Sequence, residues 1–158
     1  MFAVIEANRG YLRQWLPWLD FNTSINDSVR FIEAQTQQAM REETIPLGIH
    51  HHQSLVGVVS YNWISAERSA CGLGYWLAQS LQGKGIATRS VARLVQHAFD
   101  SMELSTVEIH VATGNQRSRK LAERMGFRAI GTHEQAEWLY DHHVDHVVYA
   151  LVRDTRES

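Results

Sequence analysis

GYWLAQSLQGKGIATRSVARLVQHAF, residues 74 to 99, decides the architecture. It opens as a short aromatic and aliphatic run typical of a strand and breaks at Gly83 and Gly85 on either side of Lys84. It then continues with Ala87, Val91, Leu94, Val95 and Ala98 at helical spacing. A strand feeding a helix through a glycine turn, with a second strand TVEIHVAT (106–113) beyond it, predicts a right-handed parallel crossover. That topology puts the turn at the carboxyl end of its strand, the edge at which open α/β sheets bind ligands.

Working outward, residues 6–16 carry Tyr11, Leu12, Trp15 and Leu16 on one side and stop at Pro17, which predicts a helix. NTSINDS (22–28) offers N-cap residues for a second helix over 27–41, where Val29, Ile32, Thr36, Ala39 and Met40 predict an amphipathic packing helix. After Pro46, the stretches LGIHHH (47–52), LVGVVSYNWI (55–64) and SACGLGYWLA (69–78) read as three antiparallel strands. Downstream lie a short helix from Asn115 to Met125 closed by Gly126 and two strands, 127–138 and 144–153. The order α-α-β-β-β-α-β-α-β-β predicts an α/β fold, a central mixed sheet flanked by helices.

At 158 residues, 44% apolar and 20% charged with only two prolines, the chain is expected to form one domain over 1–158. A domain of that size buries roughly 70% of its unfolded surface without staples. A formal charge of −2 gives no field for nucleic acid or an anionic membrane. With no apolar run of about 18 residues and no secretory signal pattern, a cytoplasmic protein is expected. The single cysteine, Cys71, excludes an intrachain disulfide and sits in an apolar run, so it is expected to be a buried packing residue. The histidines at 50–52 point alternately to opposite faces of a strand, and His142, His143 and His146 surround an expected turn. No metal site is expected.

The glycine turn is compatible with two nucleotide motifs only superficially. A P-loop needs Ser or Thr directly after the lysine, and Gly85 follows Lys84; a dinucleotide fingerprint would need glycine where Leu77 stands. What remains is Gln82-Gly83-Lys84-Gly85-Ile86-Ala87, a Q-x-x-G-x-A turn. Its free N–H groups and helix dipole suit a pyrophosphate held without a metal.

Together with ATGNQRSRKLAERMGF (112–127), this turn resembles the acetyl-coenzyme A binding core of the GNAT N-acetyltransferases. Within them it is similar to the RimJ/RimL group, which acetylates N-terminal amines of ribosomal proteins. QAEWLY (135–140) and Asp145 carry the likeness into the last strand pair, and it spans about residues 11 to 151. The chain departs from the family at its start, where a first strand is missing or shortened to MFAVIE (1–6).

The resemblance implies acetyl-CoA as donor, direct attack by the amine and no metal. It implies that Gln82, Gly83, Lys84, Gly85, Ile86, Ala87 and Thr88 cradle the pyrophosphate, that Asn115 meets the pantetheine arm while capping its helix, and that Ser118 protonates the leaving thiolate. Arg117, Arg119 and Lys120 start the same helix, at least two of them facing water, while Leu121, Met125 and Phe127 are core. Glu43 is the candidate general base. Glu137, Trp138 and Tyr140 are candidate acceptor contacts, joined by Trp18; Trp15 is expected to pack in the core. The acceptor is a protein N-terminus or, alternatively, a small-molecule amine, and a coenzyme-binding protein without catalysis is the third reading. An α-amine, with a pKa near 8 against about 10.4 for lysine, keeps a useful neutral fraction without a strong base. The group also implies a homodimer.

Overall fold

A computed structural model describes residues 1–41 and 44–154. The elements are α1 (Phe2–Leu12), a 3-10 turn (Leu19–Phe21), α2 (Ile25–Met40), β1 (Ile45–His51), β2 (Ser54–Ser65) and β3 (Ala70–Leu77). A second 3-10 turn (Gln79–Leu81) leads into α3 (Ile86–Asp100), followed by β4 (Thr106–Ala112), α4 (Gln116–Arg124), β5 (Arg128–Leu139) and β6 (His142–Val152). The six strands form one mixed sheet in the order β1-β2-β3-β4-β6-β5. MFAVIE is therefore not a shortened strand: Phe2 onward is helical, and among the described residues no strand precedes β1.

The crossover expected from the glycine turn is present, since β3 and β4 run parallel on either side of α3. Their pairing stops early. Ala70 to Leu73 pair with Thr106 to Ile109, yet β3 runs on to Leu77 and β4 to Ala112. Past Leu73 and Ile109 the two strands no longer pair, and this gap in the middle of the sheet positions the site.

Strand alternation sorts side chains to two faces. Cys71, Leu73 and Leu77 join Val91, Leu94, Ala98, Val107, Ile109, Val111 and Tyr149 in the larger core, beneath α3 and α4. On the other face Ile5, Leu12 and Leu19 form a smaller core against which Trp18 and Trp76 pack. α2 departs from expectation: Ser28 is its only buried residue among those described, and Val29, Ile32 and Met40 are exposed. Its apolar stripe packs no core because Phe31, Ile32, Thr36 and Ala39 wall a cavity instead. The helix start is fixed by Ser24, whose hydroxyl accepts from the Asp27 N–H at 3.1 Å. The Asp27 carboxylate accepts from the Ser24 hydroxyl and from Thr23 and is paired with Arg30, which holds its carboxyl well below the usual carboxylate range.

Cys71 is fully buried, and burial pushes its thiol up to about 12. The thiolate is the reactive form, so Ellman's reagent should label no thiol in the native protein and one in denaturant; rapid native labelling would show that this part of the core opens.

Candidate active site

Two cavities flank the gap between β3 and β4. The first, about 900 Å³, lies on the α1/α2 face and is lined by α2, by the β3 floor at Gly72 and Gly74, and by His110, Glu137 and His146 from the far strands. The floor is flat because side chains from β2 occupy the space above it: a Cβ on Gly72 would lie 2.1 Å from Trp63 Nε1, and one on Gly74 2.4 Å from Asn62 Nδ2. The second, about 840 Å³, lies between the end of α1, the end of β3, the glycine turn and α4. Trp15, Leu16, Tyr75, Trp76, Asn115 and Ser118 line both. That shared wall makes the two cavities neighbours, with the Tyr75 hydroxyl 2.7 Å from Ser118 Oγ.

The second cavity is built for an anion. Gly83 and Gly85 have φ of +76° and +73°, a conformation that costs little only for glycine. Gly85 caps α3 in that conformation, and the N–H groups of Gly83 to Thr88 donate to no described residue. They gather at the positive end of a helix dipole. Gln82, Gly83, Gly85, Ile86, Ala87 and Thr88 line the cavity; Lys84 does not, its side chain lying exposed outside. Arg89, Arg117, Lys120 and Arg124 add four cations to the lining. Three are braced by the turn: Arg89 donates to the Lys84 carbonyl at 3.3 Å, Arg117 donates to Gln82 Oε1, and Arg124 donates to Thr88 Oγ1 at 3.1 Å. Arg119 is different, since its guanidinium donates to the Tyr149 hydroxyl and the Thr113 carbonyl. Of the three cations at the start of α4, Arg117 and Lys120 are the exposed pair.

Asn115 caps α4, its Oδ1 accepting from the Ser118 N–H at 3.2 Å. This bond fixes the Ser118 backbone while its hydroxyl meets Tyr75. Leu121 and Phe127 are buried and Met125 packs against the core.

The acceptor contacts separate. Glu137 lines the first cavity, 3.6 Å from His146 Nε2, and among the described residues it is the one carboxylate there. It arrives through a bulge: the β5 register jumps between His133 and Glu137, and Asp145 Oδ1 accepts from Gln135 N–H at 2.8 Å inside the jump. Trp138 is no cavity residue, because strand alternation turns it to the opposite face, 53% exposed and edge-on to His143. Tyr140 also lies outside the first cavity; its hydroxyl donates to the Leu16 carbonyl and its ring lies 3.8 Å from the Arg13 guanidinium carbon. It ties the last hairpin to the end of α1. Trp15, expected in the core, is half-buried at the shared wall, and Trp18 stacks on Phe31 at the first cavity. Glu43 lies outside the described residues.

Sequence reading missed Tyr75, Arg124, His110 and His146. The i, i+3, i+7 spacing of Arg117, Lys120 and Arg124 was a legible sign of one cationic helix face. His110, 2.9 Å from the Glu108 carboxylate that Arg68 also holds, gave no local signal. Among the described residues no group of three or more His, Cys, Asp or Glu is arranged to hold a metal ion. No helix among them is long and apolar enough to cross a membrane.

Comparison with known proteins agrees with this geometry. Residues 1–128 match the acetyltransferase (GNAT) domain family. Over 156 residues the chain is 31% identical to the ribosomal-protein-serine acetyltransferase of Escherichia coli K12, covering 99% of this chain and 87% of that protein. The microcin C7 self-immunity acetyltransferase MccE, solved with acetyl-CoA and AMP, has a TM-score of 0.92 at 32% identity, over 96% of this chain and 84% of that one. RimL, the ribosomal L7/L12 α-N-protein acetyltransferase solved with coenzyme A, has a TM-score of 0.91 at 28% identity, over 97% and 86%.

Proposed function

The chain belongs to the GNAT acetyltransferase family, and we propose that it transfers the acetyl group of acetyl-CoA to the N-terminal α-amine of a ribosomal protein. The observation that carries this reading is the shared wall of the two cavities at Tyr75 and Ser118, an anion-binding cavity on one side and a cavity with one carboxylate on the other. Donor and acceptor can be bound separately there and react where the cavities meet.

In this reading the free N–H groups of Gly83 to Thr88 and the cations Arg89, Arg117, Lys120 and Arg124 take the phosphates. Lys84 contributes no more than long-range attraction. Asn115 meets the pantetheine arm, and the unpaired edges of β3 and β4 past Leu73 and Ile109 supply backbone partners for its amides. Glu137 draws the amine in and accepts its proton, with His146 beside it. Cys71 is buried and among the described residues no imidazole is hydrogen-bonded to the Ser118 hydroxyl, which supports direct attack rather than an acyl-enzyme. Ser118 donates a hydrogen bond to the sulfur as it leaves.

Two of the three named proteins support a protein N-terminus as acceptor: one is a ribosomal-protein-serine acetyltransferase, the other an α-N-protein acetyltransferase. A second acceptor class has its own support. Trp18 and Phe31 stack 5.5 Å apart at the first cavity, and MccE was solved with AMP as well as acetyl-CoA. Aromatic walls of this kind suit an amine carried on a flat heterocycle. One acetyltransferase domain over 1–158, a homodimer and a cytoplasmic location complete the proposal; light scattering reads the second.

Acetyl-CoA should raise the melting temperature through selective binding to the folded state. Incubation with peptides bearing ribosomal-protein N-termini should then release free thiol and acetylate the α-amine, read by intact mass. No shift at millimolar acetyl-CoA sinks the donor assignment. Thiol release with an aminoacyl nucleotide and none with any peptide replaces the first acceptor class by the second, while binding without turnover leaves a coenzyme-binding protein.

A further inference from the structure

Besides Ser118, the wall shared by the two cavities carries a second hydroxyl, that of Tyr75. Tyr75 lies on β3 past Leu73, the last residue paired to β4, and it lines both cavities. Ser118 Oγ is its sole side-chain hydrogen-bond partner among the described residues, at 2.7 Å. That short contact reaches across 43 residues of sequence, from a strand to the first turn of a helix.

A serine hydroxyl has one hydrogen to give. If Ser118 spent it on Tyr75, none would remain for the sulfur. A phenol is a far stronger acid than an alcohol, and so the better donor of the two; with Tyr75 donating, the Ser118 hydrogen is free and its oxygen is fixed. Burial pushes the Tyr75 phenol above its ordinary value, the Ser118 hydrogen bond opposing this in part, so the ring keeps its proton through the neutral range. Asn115 holds the Ser118 backbone from the other side.

We propose that Tyr75 is a positioning residue for acetyl transfer, its hydroxyl donating to Ser118 Oγ and thereby aiming the Ser118 hydrogen at the leaving sulfur. The inference rests on the acetyltransferase reading above. When the amine nitrogen attacks, the C–N bond forms, the C–S bond breaks and its electron pair passes to sulfur, which Ser118 stabilises by hydrogen bonding. The proton lost by the amine goes to Glu137, and the thiolate leaves with the coenzyme. Tyr75 keeps its own proton throughout, so no relay through the half-buried ring is needed.

The test is a double-mutant cycle on the full chain with Tyr75→Phe, which keeps the ring, and Ser118→Ala. Tyr75→Phe should lower kcat about 10-fold, the value of one well-placed hydrogen bond, with KM for acetyl-CoA and melting temperature unchanged. Ser118→Ala should lose at least as much, and the double variant no more than Ser118→Ala alone, because Tyr75 acts only through that oxygen. A kcat for Tyr75→Phe within twofold of the parent overturns the proposal, as does a double variant that loses the product of the two effects. An impaired Tyr75→Phe beside a fully active Ser118→Ala also overturns it, leaving the acetyltransferase reading intact. Parent protein that binds acetyl-CoA and acetylates no amine overturns both.

Discussion

Glu137→Gln should lower kcat/KM for the amine acceptor by about 10²–10⁴-fold, the usual contribution of a general base, with the acetyl-CoA melting shift unchanged. Glutamine keeps the shape of the side chain and cannot take a proton. The expectation follows from location: among the described residues Glu137 is the one carboxylate on the first cavity. It also follows from anchoring. The bulge that delivers it is pinned by Asp145 to Gln135 N–H at 2.8 Å, and His146 stands 3.6 Å away. The donor cavity does not include Glu137, so a loss confined to the acceptor side is the diagnostic pattern. Glu43→Gln is the companion variant. A full rate for Glu137→Gln beside a collapsed one for Glu43→Gln would move the base to Glu43, the carboxylate that sequence reading favoured.

The donor half of the site was far more legible than the acceptor half, for a physical reason. Gln82 to Thr88 and Asn115 to Ser118 are contiguous stretches whose proposed function depends on local backbone geometry: glycine at positive φ, a helix N-terminus, an Asn cap. Such features are written in neighbouring residues. The first cavity, the proposed acceptor side, is assembled from α2 and all six strands, and its residues meet only through sheet pairing. Trp138 shows the difficulty. It is adjacent in sequence to Glu137 and yet faces away, since one step along a strand reverses the side. α2 shows another: a stripe of Ile32, Thr36 and Ala39 reads identically whether it meets a core or an open cavity. The sheet order itself was legible as far as the parallel β3/β4 pair, because the crossover demanded it. That β3 and β4 cease to pair past Leu73 and Ile109 had no local signal, although the site depends on it.

Gly85→Val tests the glycine turn with which the sequence reading began. Gly85 holds φ of +73° as the N-cap of α3, and a Cβ there would lie 3.0 Å from Arg89 Nη1. The arginine tip can move aside, so the steric term is small; the backbone term is not. A β-branched residue resists the left-handed region, and a non-glycine residue held there costs about 1–3 kcal/mol. The turn should therefore relax and take the free N–H groups of Ile86 and Ala87 out of line. Hydrogen bonds to a charged group contribute about 1.5–3 kcal/mol each; losing even two weakens acetyl-CoA binding by about 100-fold or more. Gly83→Asn is the contrasting change. Gly83 has φ of +76° with nothing within 4 Å of a Cβ, and asparagine tolerates that conformation, so binding should fall only a few-fold. Calorimetric titration of acetyl-CoA into both variants reads the difference. Parental affinity in Gly85→Val would mean that the backbone of this turn does not hold the pyrophosphate, and the cations Arg89, Arg117, Lys120 and Arg124 would then have to carry the binding alone.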